Sequence, residues 1–293
     1  MAYSFNTKPR SQGRGIFVNN GYVFKSSFND MKTNDALRKY FKKRTKHIDS
    51  LIRMPAGKLE IEDYHILHVE IKKLHALFKM LSYCSKKFKR NNYYKLFKYI
   101  FRQCGEIREL QLEETMIKKH DPHHLIKKYP TQLKSRLKDK ESDFYLMANK
   151  RTAGKLKGYY KEIISYIKGI QSHKATDYIR NRKRKVKTLL EQKIIKIVQV
   201  HQLRKLLKEY YYNLKSIDLK SDGKVFKKGN DLQELMGKWH DNRIIHMHLN
   251  KALSNQLLDT REVNHLIKIS LKILYNSEML FRKINAKKNK VEL

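Results

Sequence analysis

Residues His65–Leu81 read HILHVEIKKLHALFKML, and residues His201–Ile217 read HQLRKLLKEYYYNLKSI. At ~100° per residue, His65, His68, Lys72, His75 and Lys79 fall on one arc of a helix, while Leu67, Ile71, Leu74, Phe78 and Leu81 form an apolar stripe well around from it. The second stretch repeats both sets at the same offsets. His201, Arg204, Lys208, Tyr211 and Lys215 take the polar arc, and Leu203, Leu207, Tyr210, Leu214 and Ile217 the apolar one. Each copy is followed by the pattern Gly-x-x-(Arg/His)-(Glu/Asp), at Gly105–Glu109 and again at Gly237–Asp241. This is an internal duplication, and it predicts two neighbouring helices whose basic arcs share one concave or tubular surface.

Helical periodicity runs through the rest of the chain from Asn34 onward, with no alternation of strands and helices, so the expected class is all-α. The spacing predicts helices over 34–53, 61–88, 92–119, 123–138, 142–172, 174–219, 230–254 and 259–286. The stretch 174–219 is too long for one bundle helix yet holds no Gly or Pro. Shifting Pro55–Glu60 by the repeat offset lands on Glu191–Lys196, where a break is expected. Asp222-Gly223 and Gly229-Asn230-Asp231 read as a loop whose last residues cap the helix bearing His240. Residues 1–33 read as an accessory segment, disordered or a hairpin, because Asn20-Gly21 separates Ile16-Phe17-Val18 from Tyr22-Val23-Phe24. The repeated domain then covers 34–286, divided into halves 34–172 and 173–286.

The 293 residues carry 66 Lys+Arg against 28 Asp+Glu, a formal charge of +38, which points to a polyanionic partner. Cys84 and Cys104 are too few for a disulfide framework and lack a C-x-x-C zinc spacing, so a reducing cytoplasm is expected. No apolar run approaches the ~20 residues of a membrane span, and no signal-peptide pattern opens the chain. Membrane association is not expected.

A basic arc spanning 14 residues is ~21 Å long, enough to meet several phosphates in succession. Arg binds phosphate through a bidentate fork, Lys as a point charge, and His by donating a hydrogen bond in either protonation state. With these residues in place, His65-x-x-His68-Val69-x-x-Lys72-Lys73-Leu74-His75, His201-x-x-Arg204-x-x-x-Lys208-x-x-x-Tyr212, Gly105-x-x-Arg108-Glu109 and Leu232-Gln233-x-Leu235-x-Gly237-x-x-His240-Asp241 resemble the CHAD domain, the conserved histidine α-helical domain, over about Asn34 to Ile284. The resemblance implies two pseudo-symmetric four-helix bundles around a basic central pore that binds inorganic polyphosphate, without catalysis, metal or cofactor. It places the family's histidines on His65, His201 and His240 and its basic pore positions on Lys72, Lys73, Arg204 and Lys208, with Arg108 standing where His240 stands in the second half. His68, His75, Lys79 and Lys215 complete the candidate binding set. It also makes polyphosphate granules a candidate association.

Where relatives carry arginine this chain has His68 and His75, and Gln111 replaces an Asp. Imidazoles at those places predict affinity for a polyanion that rises as pH falls from about 8 to about 6, around the ~6.5 reference for histidine. Lys287 and Lys288 read as exposed tail lysines.

Rival readings have less behind them. His240-Asp241 alone is not a phosphohydrolase metal set, which needs further converging His and Asp. Glu60-Ile61-Glu62-Asp63-Tyr64 begins like the Glu-x-Glu-x-Lys of triphosphate-tunnel enzymes but lacks the Lys. His123-His124 and His246-x-His248 read as surface histidines. RNA or DNA is the second partner reading, since the same charge attracts any phosphate polymer. No groove-reading element accompanies it, and at helical spacing Tyr210 and Tyr212 read as packing residues.

Overall fold

The apolar stripe of the first repeat is core: Leu67, Ile71, Leu74 and Phe78 are fully buried, and so are Leu203 and Leu207 of the second. The structure, a computed structural model of the chain, describes residues 20–218, 223–254 and 258–291. Among the described residues it is all-α. The helices are α1 (Asn20–Ile52), α2 (Ile61–Cys84), α3 (Arg90–His120), α4 (Lys128–Met147), α5 (Lys150–Lys168), α6 (Ser172–Leu190), α7 (Ile197–Ser216), α8 (Gly223–Leu253) and α9 (Thr260–Lys288). The repeated helices α2 and α7 pack on each other, with α3 against α2 and α8 against α7. One apolar cluster runs from Leu37 and Phe41 of α1 through α2 to Leu203 of α7 and Trp239 of α8. A second joins Leu110 of α3, Leu133 of α4, Leu249 of α8 and Leu266 of α9.

Two buried carboxylates tie these helices together, and each is paired with an arginine that lies over a tyrosine ring. Glu70 of α2 accepts both nitrogen contacts of one Arg44 amino group, at 2.9 and 3.1 Å, and one from Lys73 at 2.7 Å. Arg44, on α1, lies 4.9 Å over the Tyr40 ring. In the second half Glu209 of α7 is paired by Arg182 of α6 at 2.8 Å, and Arg182 lies 4.7 Å over the Tyr178 ring. Glu209 also accepts from the Tyr178 hydroxyl and from Lys79 of α2 at 2.7 Å, which joins the two copies of the repeat. Removing one partner of a buried pair of this kind costs ~3–5 kcal/mol.

The break expected between 174 and 219 falls between α6 and α7, although no Gly or Pro marks it. Tertiary partners from α9 hold it open. The Lys288 ammonium donates to the carbonyl of Leu190, the last residue of α6, at 2.9 Å, to the Gln192 carbonyl, and to Asn289 Oδ1 at 2.7 Å. Asn285 accepts from the Ile195 amide at 2.8 Å. An ammonium at a helix C-terminus satisfies carbonyls that the helix leaves open.

Several expectations need correction. Lys288 is 0% exposed and therefore no tail lysine, whereas Lys287 is exposed. Helix α1 begins at Asn20, so Asn20-Gly21 is helical rather than the turn of a hairpin; Ile16–Val18 lie outside the described residues. The boundary expected at 139–141 lies at Ala148-Asn149, where the Asn149 side chain caps α5 by accepting from the Thr152 amide at 3.0 Å. Helix α8 starts at Gly223, so Gly229-Asn230-Asp231 is helix and not loop. Gly229 lets α8 lie against the Tyr211 hydroxyl, where an added Cβ has no room.

Lys288→Ala strands the Leu190 and Gln192 carbonyls, and urea unfolding followed by the fluorescence of Trp239, the single tryptophan, is expected to show a loss of ~1–3 kcal/mol. Lys287→Ala stays within ~0.5 kcal/mol.

Candidate functional site

The basic arcs of α2 and α7 face a cavity of about 590 Å3 closed by α3 and α8. His68, Lys72, His75 and Lys79 line it from α2, His201, Arg204 and Lys208 from α7, and His240 from α8. A smaller adjoining cavity holds His65 and Arg108 and shares Lys72, Arg204, Lys208 and His240 as wall. Lys73 and Lys215 are not among the lining residues of either. One residue along the helix from Lys72, Lys73 turns to Glu70, and Lys215 lines an outer cleft of α1 and α7 with Lys39 and Lys43.

Helix α3 supplies what the two repeats do not. Tyr94, Phe101, Gly105 and Glu109 recur at i, i+7, i+11 and i+15 and so share one face, which lines the cavity. His75 stacks on Tyr94 with ring centroids 4.1 Å apart and planes at 9°, and His68 stacks on Phe101 at 4.0 Å and 27°. A Cβ at Gly105 would stand 3.3 Å from His68 Cε1, so the glycine of the first motif makes room for that ring. Tyr212 also lines the cavity, whereas Tyr210 and Tyr211 are buried packing residues, so the assignment of Tyr212 to packing is corrected.

The charges divide into two sets. Arg44, Lys73, Lys79 and Arg182 are held by the buried carboxylates. Among the described residues, none of the ion pairs includes Lys72, Arg204 or Lys208. Arg204 Nε is buried without a hydrogen-bond partner, and Lys72 Nζ lies 5.5 Å over the Phe101 ring. Burial first, and then Lys208 and Arg204, bring the Lys72 ammonium down to about 7; burial and Arg204 bring Lys208 to about 8. Asp241 lines the smaller cavity, and burial raises its carboxyl against the pull of Arg204, Arg108, Lys72 and Lys208.

Burial lowers the proton affinity of the cavity's histidines. Burial, reinforced by Lys72, lowers His68 to about 2; burial and Lys79 lower His75 to about 4; burial and Arg204 lower His240 to about 3. The expected titration of His68 and His75 between pH 8 and 6 is thereby corrected: both rings are uncharged across that range.

Outside the cavity, Glu60 and Asp63 start α2, the Glu60 amide donating to Asp63 Oδ2 at 2.9 Å, so this acidic string is a helix cap. His246 and His248 are half-buried and bonded rather than surface residues. His246 Nδ1 lies 2.9 Å from Ser270 Oγ, and His248 Nδ1 3.0 Å from the buried Glu113. Among the described residues, no group of three or more His, Cys, Asp or Glu is placed to hold a metal ion. No helix of the described residues is long and apolar enough to cross a membrane.

The crystal structure of the CHAD domain from the plant Ricinus communis superposes with a TM-score of 0.72 at 11% identity, covering 89% of this chain and 92% of that one. The fold is that of the CHAD domain. PptA from Streptomyces chartreusis is similar as well, with a TM-score of 0.62 and 9% identity over 86% of this chain and 98% of its own. No protein-family model and no curated protein matches the sequence. At 11% and 9% identity the likeness is one of fold.

An imidazole titration by NMR checks the electrostatics of this CHAD fold. His68, His75 and His240 are expected to stay neutral from pH 8 to pH 5. His248, whose bond to Glu113 raises its affinity for the proton, titrates above the ordinary ~6.5. Glu113→Gln is expected to remove that elevation.

Proposed function

We propose that this chain binds inorganic polyphosphate, without catalysing its breakdown, in the cavity walled by α2, α3, α7 and α8. The observation that carries the reading is the presence of Lys72, Arg204 and Lys208 in one cavity, partly withdrawn from water and outside every ion pair among the described residues. Buried charge without a partner is costly, and a multivalent anion relieves three such costs at once. Arg204 supplies the bidentate fork and the two lysines the point charges. His201 and His240, their rings 5.1 Å apart, donate neutral hydrogen bonds beside them. Arg108 extends the cationic wall into the smaller cavity, where His65 stands beside it.

In this reading Lys73 and Lys215 serve the framework and the outer surface rather than the ligand. A cytoplasmic setting fits the free, buried thiols of Cys84 and Cys104, and polyphosphate granules are the association to look for. Nucleic acid remains the second partner class, drawn by the same charge.

Lys72→Ala and Arg204→Ala are each expected to weaken polyphosphate binding ~10-fold or more, the loss of a charged hydrogen bond, while Lys287→Ala changes it by less than ~2-fold. Equal losses at all three positions contradict a defined site. At fixed salt, long-chain polyphosphate is expected to displace RNA; the reverse outcome favours nucleic acid. Affinity falls as pH rises through about 7 to about 8, where Lys72 and Lys208 lose their protons. Their facing groups are each other, Arg204, Asp241 and, for Lys72, Glu109. Lys72→Arg flattens this dependence, because arginine keeps its charge.

A further inference from the structure

The central cavity has two unlike walls, which meet where Lys72 lies over the Phe101 ring. Lys72, Arg204 and Lys208 make one of them cationic. The other is built of rings: the stacked pair His75 and Tyr94, the stacked pair His68 and Phe101, and Tyr212, every one of them half-buried with some surface left open. Because the two imidazoles are neutral, these rings offer flat polarisable surface and not charge.

A bare phosphate chain presents only oxygen atoms and has no use for such a wall. A planar heteroaromatic group does, since stacking on Tyr, Phe or His removes apolar faces from water on both sides. A volume of about 590 Å3 also lies within the range of sites that enclose small organic ligands. Building on the phosphate reading above, we propose that the cavity takes a nucleoside polyphosphate, its base against the His75–Tyr94 pair and its phosphates on Lys72, Arg204 and Lys208.

Calorimetric titration with ATP, ribose 5-triphosphate and inorganic tripolyphosphate, at one pH and ionic strength, separates the two walls. Tripolyphosphate carries the greatest charge density, so charge alone ranks it first. The proposal expects ATP to bind about five-fold or more tightly than either of the others, as one stacked base contributes. Tyr94→Leu removes the stacking ring while keeping apolar bulk, and is expected to bring the ratio of ATP to tripolyphosphate affinity down to about one; unfolding followed by Trp239 fluorescence verifies its fold. Should that variant not fold, the comparison of ATP with ribose 5-triphosphate on the unaltered protein decides alone. ATP binding no tighter than tripolyphosphate overturns the proposal and leaves the phosphate reading standing. Absence of binding by all three overturns both.

Discussion

Everything in this fold depends on where two buried carboxylates sit. Glu70 and Glu209 are 3% and 6% exposed, deep enough that each has to be surrounded by cations and hydroxyl groups to remain ionised. Arginines from the preceding helices supply that surrounding, fixing α1 on α2 and α6 on α7. Lys79 reaches across from α2 to Glu209, so the register between the two copies of the repeat is set by the same interaction. A charge network of this sort adds little net stability against an apolar replacement, but it penalises every arrangement that leaves a partner unpaired. Its effect is to hold the polar arcs of α2 and α7 turned toward a shared space.

The consequence for function is a sorting of positive charge. Of the cations on the two arcs, those that reach Glu70 or Glu209 are neutralised within the protein. Lys72, Arg204 and Lys208, one step around the helix or one turn along it, are left facing the cavity. Asp241 is their carboxylate neighbour, and it moderates the field without pairing any one of them. Among the described residues, further positive charge lies on exposed helix faces such as Arg180, Lys183, Arg184 and Lys187 of α6, where water and salt screen it. Under the proposed function, exposed lysines of this kind steer a polyanion toward the protein, and the half-buried Lys72, Arg204 and Lys208 hold it.

Much of this was legible in the sequence, and the exceptions have physical causes. The repeated stripes gave the pairing of α2 with α7, and the repeat offset located the break before α7 even though its cause, Lys288 and Asn285 of α9, is nearly a hundred residues away. Lys72 and Lys73 look equivalent in a string of letters, and the resemblance placed both in the pore, yet they are ~100° apart on a helix and Lys73 pairs with Glu70 at 2.7 Å. Tyr94 and Phe101 belong to a face of α3 that no repeat highlights, and were missed for that reason. The neutral state of His68 and His75 could not be read at all, because it comes from burial and neighbouring charge rather than from residue type. The start of α8 was misplaced because Gly229 resembles a loop residue, whereas it is the point where α8 and Tyr211 meet.

A crystal structure of the protein with a short inorganic polyphosphate tests the central claim most directly. Phosphate oxygens within hydrogen-bonding distance of Lys72, Arg204 and Lys208, with the chain lying between α2 and α7, are the predicted result. Phosphates ordered only along exposed lysines and arginines such as those of α6, with none in the cavity, would contradict it.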